Sequence, residues 1–274
     1  MSAQIQLAQR ANSCRLCAGP LEPRFQLRLL GRHSVAYFNC SNCGSLQTET
    51  PHWLEEAYGQ NLSNLDTGAA QRSLRNLAAC YAVARVLGLH RLLDIGGGDG
   101  LLCRLLRDRG LDCYVRDKYA RPTYAQGFDQ PGFDRPDMVT AFEVFEHLPQ
   151  PAFELHAFFA IGPKAVLVST ELYTGQGPGW PYLAPESGQH VFFYSPQALA
   201  LVARQHGCTL LLSGEFALFL KPGAAATWQV GLLKLLLRRR VCRLVAAWLM
   251  LCNTPGVMTD HELQKRRSQH PPAA

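Results

Sequence analysis

The sequence predicts an α/β domain with a central, mostly parallel sheet and helices on both faces, preceded by a small metal-bound module. Two observations predict the sheet. An apolar strand-like segment, residues 92–95, runs into a glycine-rich turn and then into a leucine-rich helix, and strand-like and helix-like segments alternate after it. A third observation, two Cys-x-x-Cys pairs near the N-terminus, predicts the metal-bound module.

The formal net charge of +6 is unevenly distributed over the 274 residues. Residues 1–220 hold 18 Lys and Arg against 19 Asp and Glu, whereas residues 221–274 hold 9 against 2. Because the body of the chain has no basic excess, no nucleic-acid partner is expected. The first residues lack the apolar segment of a secretory signal, so we expect a cytoplasmic protein whose clustered cysteines bind metal.

Residues 1–50 are predicted to form a zinc ribbon. Its four ligands form two pairs separated by 22 residues, Cys14 with Cys17 and Cys40 with Cys43. Four thiolates give the closed tetrahedral coordination of a structural Zn²⁺. A redox Cys-x-x-Cys needs only one pair, so zinc is favoured over a redox pair or unrelated thiols.

Residues 51–90 are predicted to be a helical linker that leads into the sheet. Residues 51–59 read as a short helix that ends at Gly59, and apolar residues then recur at helical spacing up to Leu87. We expect these helices to pack on the sheet. Residues 53–58 have a second interpretation, as a lid over the cofactor.

The glycine-rich turn after the first strand of the domain predicts the cofactor. Gly96, Gly97 and Gly98 let a ligand approach the backbone closely. The dinucleotide fingerprint needs a further glycine where this chain has Leu101. Asp94 would repel a pyrophosphate but can hold an ammonium group, and S-adenosylmethionine (SAM) carries an ammonium and no phosphate. The turn therefore resembles the first motif of class I SAM-dependent methyltransferases.

Two further strand ends complete the predicted cofactor edge. The second strand, residues 111–116, ends at Asp117, 21 residues after the first glycine of the turn, where an acid accepts the hydroxyls of a ribose. A buried strand, residues 137–142, ends at Phe142, which we include among the SAM-binding residues. Glu143 follows at the strand tip, where open α/β sheets bind ligands, and is expected near the sulfonium or the acceptor.

The long irregular segment 170–194 is predicted to wall the acceptor pocket. A loop of more than about 15 residues in a compact domain is usually functional. An acceptor hydroxyl or carbon acid must lose a proton, and the candidate bases are His190, our first choice, and His147. A structural role is the alternative for both histidines.

Residues 91–221 are predicted to complete the SAM-binding domain. Ser195-Pro196 has the pattern of a helix N-cap followed by proline at the first helical position. A hairpin, residues 208–213 and 216–221, follows this helix. Such a hairpin is typical of the seven-stranded methyltransferase sheet.

Residues 222–263 are predicted to form a basic helical extension. No window of 18 uncharged apolar residues occurs, so no membrane span is expected. We favour a helical hairpin packed on the sheet with its arginines in solvent. The alternative is that the basic segment 228–252 lies on an anionic membrane surface, peripheral at the inner face. Residues 264–274 are predicted to be a disordered tail.

From Cys14 to about His206 the motifs together resemble a family of bacterial class I SAM-dependent methyltransferases with an N-terminal zinc-binding module. The matching motifs are the paired Cys-x-x-Cys with helix 53–58, Asp94-x-Gly96-Gly97-Gly98, Asp117-Lys118-Tyr119, and segments 141–148, 169–171 and 188–195. The resemblance implies a Rossmann-like seven-stranded sheet and a small-molecule or glycan acceptor, as in sugar C-methyltransferases and polysaccharide-associated enzymes. The large C-terminal domain of the sugar C-methyltransferases does not follow, so O-, N- and C-methylation stay open.

The predicted function is transfer of a methyl group from SAM to a small-molecule or glycan acceptor, with structural Zn²⁺. One alternative is a non-catalytic scaffold at a glycan assembly site, which the basic C-terminal segment motivates. Another is a nicotinamide-dependent oxidoreductase. Asp94 and the missing third glycine argue against this last alternative.

Overall fold

The computed structural model describes residues 13–59 and 67–269. These residues form two sheets, with four and six strands. The strands are β1 (Leu21–Leu29), β2 (His33–Cys40), β3 (Leu46–Thr48), β4 (Arg91–Ile95), β5 (Asp112–Arg116), β6 (Met138–Phe142), β7 (Ala165–Ser169), β8 (Phe192–Phe193), β9 (Thr209–Ser213) and β10 (Phe216–Leu220). The α-helices are α1 (Leu54–Gly59), α2 (Ala69–Leu87), α3 (Leu101–Asp108), α4 (Pro151–Ala160), α5 (Pro196–Gln205), α6 (Thr227–Leu236), α7 (Arg239–Leu251) and α8 (Pro255–Gln269).

The larger sheet has the strand order β5-β4-β6-β7-β10-β9. The first four strands are parallel, and β10 runs antiparallel to both of its neighbours. The connection β4–α3–β5 and the connection β6–α4–β7 proceed in opposite directions across the sheet. Since such connections are right-handed, α3 and α4 cover opposite faces. This is the predicted Rossmann-like α/β class, including the antiparallel terminal hairpin, and the strand order reverses next to β4, where ligands bind in open sheets.

The described sheet has six strands rather than the seven predicted. The chain that follows β5 lies on the outer side of that strand, where a seventh strand would pair, but it is irregular. The Val115 amide donates to the Phe128 carbonyl at 2.9 Å, and the Phe128 ring packs against Tyr114. Three prolines between residues 122 and 136 explain the irregularity, because proline lacks the amide that a strand ladder needs.

The smaller sheet joins the N-terminal ribbon to the loop of residues 170–194. Strand β8 from that loop pairs antiparallel with β3, with Leu46 opposite Phe193. Around this pairing lies an apolar core separate from that of the large sheet, drawn from the ribbon, α1 and the loop: Leu29, Val35, Tyr37, Leu46, Trp53, Ala57, Tyr173, Leu183, Val191 and Phe193. The ribbon therefore supports the loop that is predicted to wall the acceptor pocket.

The C-terminal helices pack on the face of the large sheet that carries α2 and α3. Helices α6 and α7 contact α2, and α8 contacts α3. The buried Asp260 carboxylate accepts two hydrogen bonds from Arg107, both 2.7 Å long, and one of 2.6 Å from Arg104. Residues 222–263 therefore form helices that pack on the domain, as the sequence predicts.

Residues 264–269 correct the prediction of a disordered tail, because they continue α8. Gln264 donates to the Gln126 carbonyl at 2.9 Å and Arg267 donates to the Gly127 carbonyl at 2.6 Å. These contacts hold the last helical turns to the irregular segment beside β5. Residues 270–274 lie outside the described part of the chain.

The part of the chain that the structure describes contains no single helix of the length and apolarity needed to cross a membrane. Helices α7 and α8 are bent by 62° at their junction, and only when taken together do they have the length and composition of a membrane span.

Candidate functional site

Two adjoining cavities open at the carboxyl ends of β4, β5 and β6. Their volumes are about 1000 Å³ and about 780 Å³. Both are lined by Gly96, Glu143, His147 and Gln189, so the two cavities form one continuous cleft. The larger cavity extends along the tip of β5, and the smaller one extends over the glycine-rich turn toward the 170–194 loop. The cleft lies where the strand order of the sheet predicts a ligand site.

The glycine-rich turn is shaped so that side chains are excluded from it. A Cβ on Gly97 would lie 2.3 Å from Oδ2 of Asp94 and 2.7 Å from Cγ2 of Val115. A Cβ on Gly96 would lie 2.5 Å from Cγ2 of Val144. Gly98 has a φ of +56°, with open space where its Cβ would be. The turn is thus packed on its inner side and open toward the cleft, as a cradle for a ligand requires.

Asp94 lies beneath this turn with one carboxylate oxygen unpaired. Thr140 donates to Oδ1 at 2.7 Å, whereas the buried Oδ2 has no hydrogen-bond partner. Burial raises the pKa of Asp94 to about 7. A buried carboxylate with a free oxygen at the wall of a cleft is suited to a cationic partner. The predicted residue therefore fits the ammonium group of SAM.

Asp117 lies on the cavity wall at the end of β5, but backbone amides already occupy much of its carboxylate. Gly98 donates to Oδ2 at 2.9 Å, and Tyr119 and Ala120 donate to Oδ1 at 2.7 and 2.8 Å. Asp117 therefore ties the tip of β5 to the glycine-rich turn. The remaining lone pairs can still accept from ribose hydroxyls, since each carboxylate oxygen accepts more than one bond.

Two glutamates share the hydroxyl of Tyr182. The phenol oxygen lies 3.0 Å from Oε2 of Glu143 and 2.7 Å from Oε1 of Glu146, and Ser169 donates to the other oxygen of Glu143 at 2.6 Å. A phenol carries one proton, so a second proton is needed for both contacts to be attractive. Burial raises the pKa of Glu146 well above its ordinary value and so favours its neutral form, which can supply that proton.

Glu143 reaches this network through an uncommon backbone conformation. Its φ is +53°, a left-handed value that costs a non-glycine residue roughly 1 kcal/mol or more. The Glu143 amide is held by the Ser169 carbonyl at 3.2 Å. The strain turns the side chain at the tip of β6 toward Tyr182, in the cleft.

The two candidate histidines meet at the junction of the cavities. Their rings are perpendicular, with centroids 4.8 Å apart. Nδ1 of His190 lies 2.6 Å from the carbonyl oxygen of Tyr182, so Nδ1 must carry the proton and Nε2 is the basic nitrogen. Nδ1 of His147 lies 3.3 Å from the hydroxyl of Tyr58.

Burial lowers the pKa of both histidines, that of His147 to about 3. The two imidazoles are therefore neutral at pH 7. A pKa of about 3 makes His147 a weak base at physiological pH. In His190, the bond of Nδ1 to the Tyr182 carbonyl leaves Nε2 to take a proton.

Helix α1 lines the larger cavity through Leu54, Glu55, Tyr58 and Gly59. The Tyr58 ring stacks on Tyr119, with centroids 4.3 Å apart and planes 10° apart. The helix is docked through two hydrogen bonds to the 170–194 loop, from Trp53 Nε1 to the Gly188 carbonyl at 2.7 Å and from Gln189 Nε2 to the Ala57 carbonyl at 2.9 Å.

The four N-terminal cysteines converge at one point of the ribbon. Cys14 and Cys43 have their sulfurs 3.7 Å apart, Cys17 and Cys40 theirs 3.5 Å apart, and all four lie within 4.8 Å of one another. Disulfide sulfurs are about 2.05 Å apart, whereas a zinc–sulfur distance of about 2.3 Å places tetrahedral ligands roughly 3.8 Å apart. The cluster therefore has the size and donor set that zinc requires.

Arg15, within the first cysteine pair, connects the ribbon to both histidine-bearing segments. Its guanidinium donates to the Pro149 carbonyl at 3.0 Å, to the Val191 carbonyl at 2.6 Å and to the Thr48 carbonyl at 3.1 Å. Pro149 lies two residues after His147, and Val191 directly follows His190. The cysteine cluster is thus coupled to the position of the candidate bases.

Sequence reasoning missed several members of the site. Thr140 and Glu146 were not singled out, and Tyr182 was not recognised as the residue that bridges two acids. Thr140 lies 46 residues from its partner Asp94, and Tyr182 lies 36 residues from Glu146. No local pattern could show these pairs, because only the parallel pairing of strands and the docking of the loop bring them together.

A family model described as a methyltransferase domain matches residues 52–213, more than half of the chain. The chain belongs to this family. The match runs from the start of α1 through β9 and includes the glycine-rich turn, Glu143 and both histidines. The predicted enzyme class, a SAM-dependent methyltransferase, is thereby confirmed, in preference to a nicotinamide-dependent oxidoreductase.

Solved methyltransferases resemble the chain distantly. Magnesium protoporphyrin IX methyltransferase from Synechocystis PCC 6803, with bound SAH, is 14% identical over 61% of this chain and 92% of its own, with a TM-score of 0.44. An O-methyltransferase family protein from Burkholderia thailandensis is 15% identical over 61% and 62%, with a TM-score of 0.46. Human N-acetylserotonin methyltransferase in complex with SAM is 14% identical over 57% and 52%, with a TM-score of 0.40. No curated protein sequence matches the chain.

Proposed function

We propose that this methyltransferase methylates a hydroxyl of a small, polyhydroxylated acceptor of the glycan class, and that its cysteine cluster holds a structural zinc ion. The observation that carries the proposal is the chemistry of the smaller cavity. Hydrogen-bonding side chains and carboxylates line it beside a histidine whose basic nitrogen is free: Ser73, Asn76, Glu143, Glu171, Glu186, Ser187 and His190.

The cofactor is assigned to the turn side of the cleft. Asp94 and the glycines at 96–98 would hold the methionine end, with Phe142 on the same cavity wall. Asp117 and Tyr119 would hold the ribose and adenine end along the tip of β5. SAM supplies an electrophilic methyl group when bound. The contribution of the chain is then to align the acceptor with that group, which is the main source of catalysis in such transfers.

The acceptor is assigned to the side that the 170–194 loop walls. Carboxylates accept hydrogen bonds from sugar hydroxyls, and Glu171 and Glu186 are exposed on the cavity wall. Arg72 lines the same cavity and places a positive charge opposite these carboxylates. The cavity therefore offers both hydrogen-bond donors and acceptors to a polyhydroxylated acceptor.

His190 is assigned as the general base. Its Nε2 takes the hydroxyl proton while Nδ1 keeps its bond to the Tyr182 carbonyl. The negative charge of Glu143 stabilises the imidazolium that forms. A base of this kind contributes about a hundredfold to ten-thousandfold in rate.

The test uses the full chain and SAM with a labelled methyl group. Titration calorimetry first measures SAM binding, and the protein is then incubated with fractions of a cell extract. We expect label in glycan, whether free, lipid-linked or nucleotide-linked, and one zinc per chain by elemental analysis. Label in RNA or protein instead would overturn the acceptor class, and no SAM binding by folded protein would overturn the cofactor site.

A further inference from the structure

Helices α6 and α7 each bury one face and expose another that is apolar. Leu233 in α6, and Cys242 and Leu249 in α7, are buried against the domain. The opposite faces expose large apolar side chains at helical spacing: Trp228, Leu232 and Leu235 in α6, and Leu244, Trp248 and Leu251 in α7. Trp228 is 67% exposed, Leu244 71% and Leu251 88%. Exposed apolar side chains that recur along two neighbouring helices mark a binding surface.

This α6–α7 surface is exclusively positive. Arg238, Arg239, Arg240 and Arg243 are exposed on it, and none of them forms an ion pair within the described residues. From Lys221 to Thr259 the chain contains no Asp or Glu. The next acid, Asp260, is buried in its pairing with Arg107. Glu215, beside the start of α7, is paired with Arg75. The four arginines therefore have no acidic partner among the described residues.

We propose that the α6–α7 surface docks on a bilayer that contains anionic lipids. Arginines beside tryptophan and leucine match the two layers of such a surface, since the guanidinium groups meet the headgroups and the apolar side chains enter the acyl boundary. A second copy of the chain is a poor occupant, because two surfaces without acids repel each other. A bilayer supplies both the negative charge and the apolar phase that the exposed residues lack.

The docked helices stay folded on the domain. Their buried faces contact α2, and Trp248 also packs near Tyr81, with ring centroids 6.3 Å apart. The surface therefore needs no unfolding to meet a membrane, and none of its exposed residues lines the cleft. Loss of docking and loss of activity are separate outcomes.

The experiment is cosedimentation of the full chain with vesicles of phosphatidylcholine, with and without phosphatidylglycerol. We expect binding to the anionic vesicles only, weakened by salt. Each basic residue near such a surface contributes about a fivefold factor, so the double variant Arg239→Glu/Arg240→Glu should lower vesicle partitioning by about 25-fold or more. The double variant Leu244→Ser/Leu251→Ser should also lower it, since both side chains would lose their apolar phase.

Matched controls come from other exposed residues. Arg24→Glu/Arg28→Glu reverses two exposed charges on β1, and Phe153→Ser removes an exposed ring from α4. Both should leave vesicle binding unchanged. The proposal is overturned if the wild type does not bind anionic vesicles, or if the controls lose as much binding as the α6–α7 variants. It is also overturned if the α6–α7 variants keep vesicle binding and lose only a dimer that analytical ultracentrifugation detects.

Discussion

The two walls of the cleft are built in different ways. The cofactor wall comes from consecutive elements of one sheet, with Asp94, the glycine-rich turn and Asp117 all within a short stretch of chain. The acceptor wall combines the tip of β6 and the 170–194 loop, and its support is the ribbon through β3–β8 pairing and Arg15. One wall is specified locally and the other depends on contacts between distant segments, so damage to the ribbon and damage to the turn should have different consequences.

Disruption of the cysteine cluster should give the largest difference between the effect on methyl transfer and the effect on SAM binding. Cys40→Ser should disrupt zinc coordination, and the ribbon sheet that holds β8 would lose its support. We expect methyl transfer to fall by about a hundredfold or more, with SAM affinity changed by less than about threefold. Activity assays and calorimetry measure the two quantities. Cys252→Ser, outside the cluster, is the control, and equal loss of SAM binding would contradict separate support of the walls.

Removal of the assigned base should affect only the chemical step. His190→Ala should lower kcat by about a hundredfold to a thousandfold with SAM affinity retained. Because burial lowers the pKa of His190, the acidic limb of the wild-type pH–rate profile should lie below the ordinary histidine value and should vanish in the variant. His156→Ala, exposed on α4, serves as the control. A variant that loses SAM binding instead would show that His190 belongs to the cofactor wall.

A single added methyl group in the glycine-rich turn should disrupt the cofactor wall. Gly97→Ala would bring a Cβ within 2.3 Å of Oδ2 of Asp94, and overpacking of this kind costs about 1–3 kcal/mol. We expect SAM to bind about 30-fold more weakly, while the ribbon keeps its zinc. Gly132→Ala, where nothing lies within 4 Å of the new Cβ, is the matched control. Calorimetry measures the SAM affinity of both variants. An unchanged affinity in Gly97→Ala would show that the turn does not bind SAM.

The pKa of Asp94 gives the cofactor wall its own pH dependence. Since that pKa is about 7, the carboxyl is mainly neutral at pH 6 and mainly ionised at pH 7.5. A cationic ligand prefers the ionised form, so SAM affinity should rise about eightfold between these pH values. Asp94→Asn should bind SAM weakly at both. An equal rise in the variant would assign the pH dependence to another group.

The smallest effect is expected from helix α1. Tyr58→Phe removes the hydroxyl that lies 3.3 Å from Nδ1 of His147 and keeps the ring that stacks on Tyr119. Loss of one hydrogen bond of about 1 kcal/mol lowers kcat by about fivefold. Tyr124→Phe, which alters an exposed ring, should have no effect. A larger effect than that of His190→Ala would make His147 and Tyr58 the main catalytic pair.

Much of the fold followed from periodicity and turn chemistry. The strand predicted at residues 137–142 is observed at Met138–Phe142. The predicted cap is also observed, since Ser195 Oγ accepts from the Ala198 amide at 3.0 Å. The seventh strand was not predicted correctly, because the expectation came from the family and the prolines beyond β5 prevent a ladder. Residues 264–269 were mistaken for a tail, because their polar composition does not reveal the carbonyls of residues 126 and 127 as partners.

By itself, the sequence determined the elements whose signals are local: the glycine-rich turn, the acid that precedes it, the paired cysteines and the order of strands and helices. Tertiary structure alone decided how the acceptor wall is assembled. The contact of Glu146 with the bridging Tyr182 and the orientation of the His190 ring depend on pairings between residues that are distant in the sequence. Their chemistry depends on burial and on hydrogen-bond partners, and the spacing of residues along the chain predicts neither.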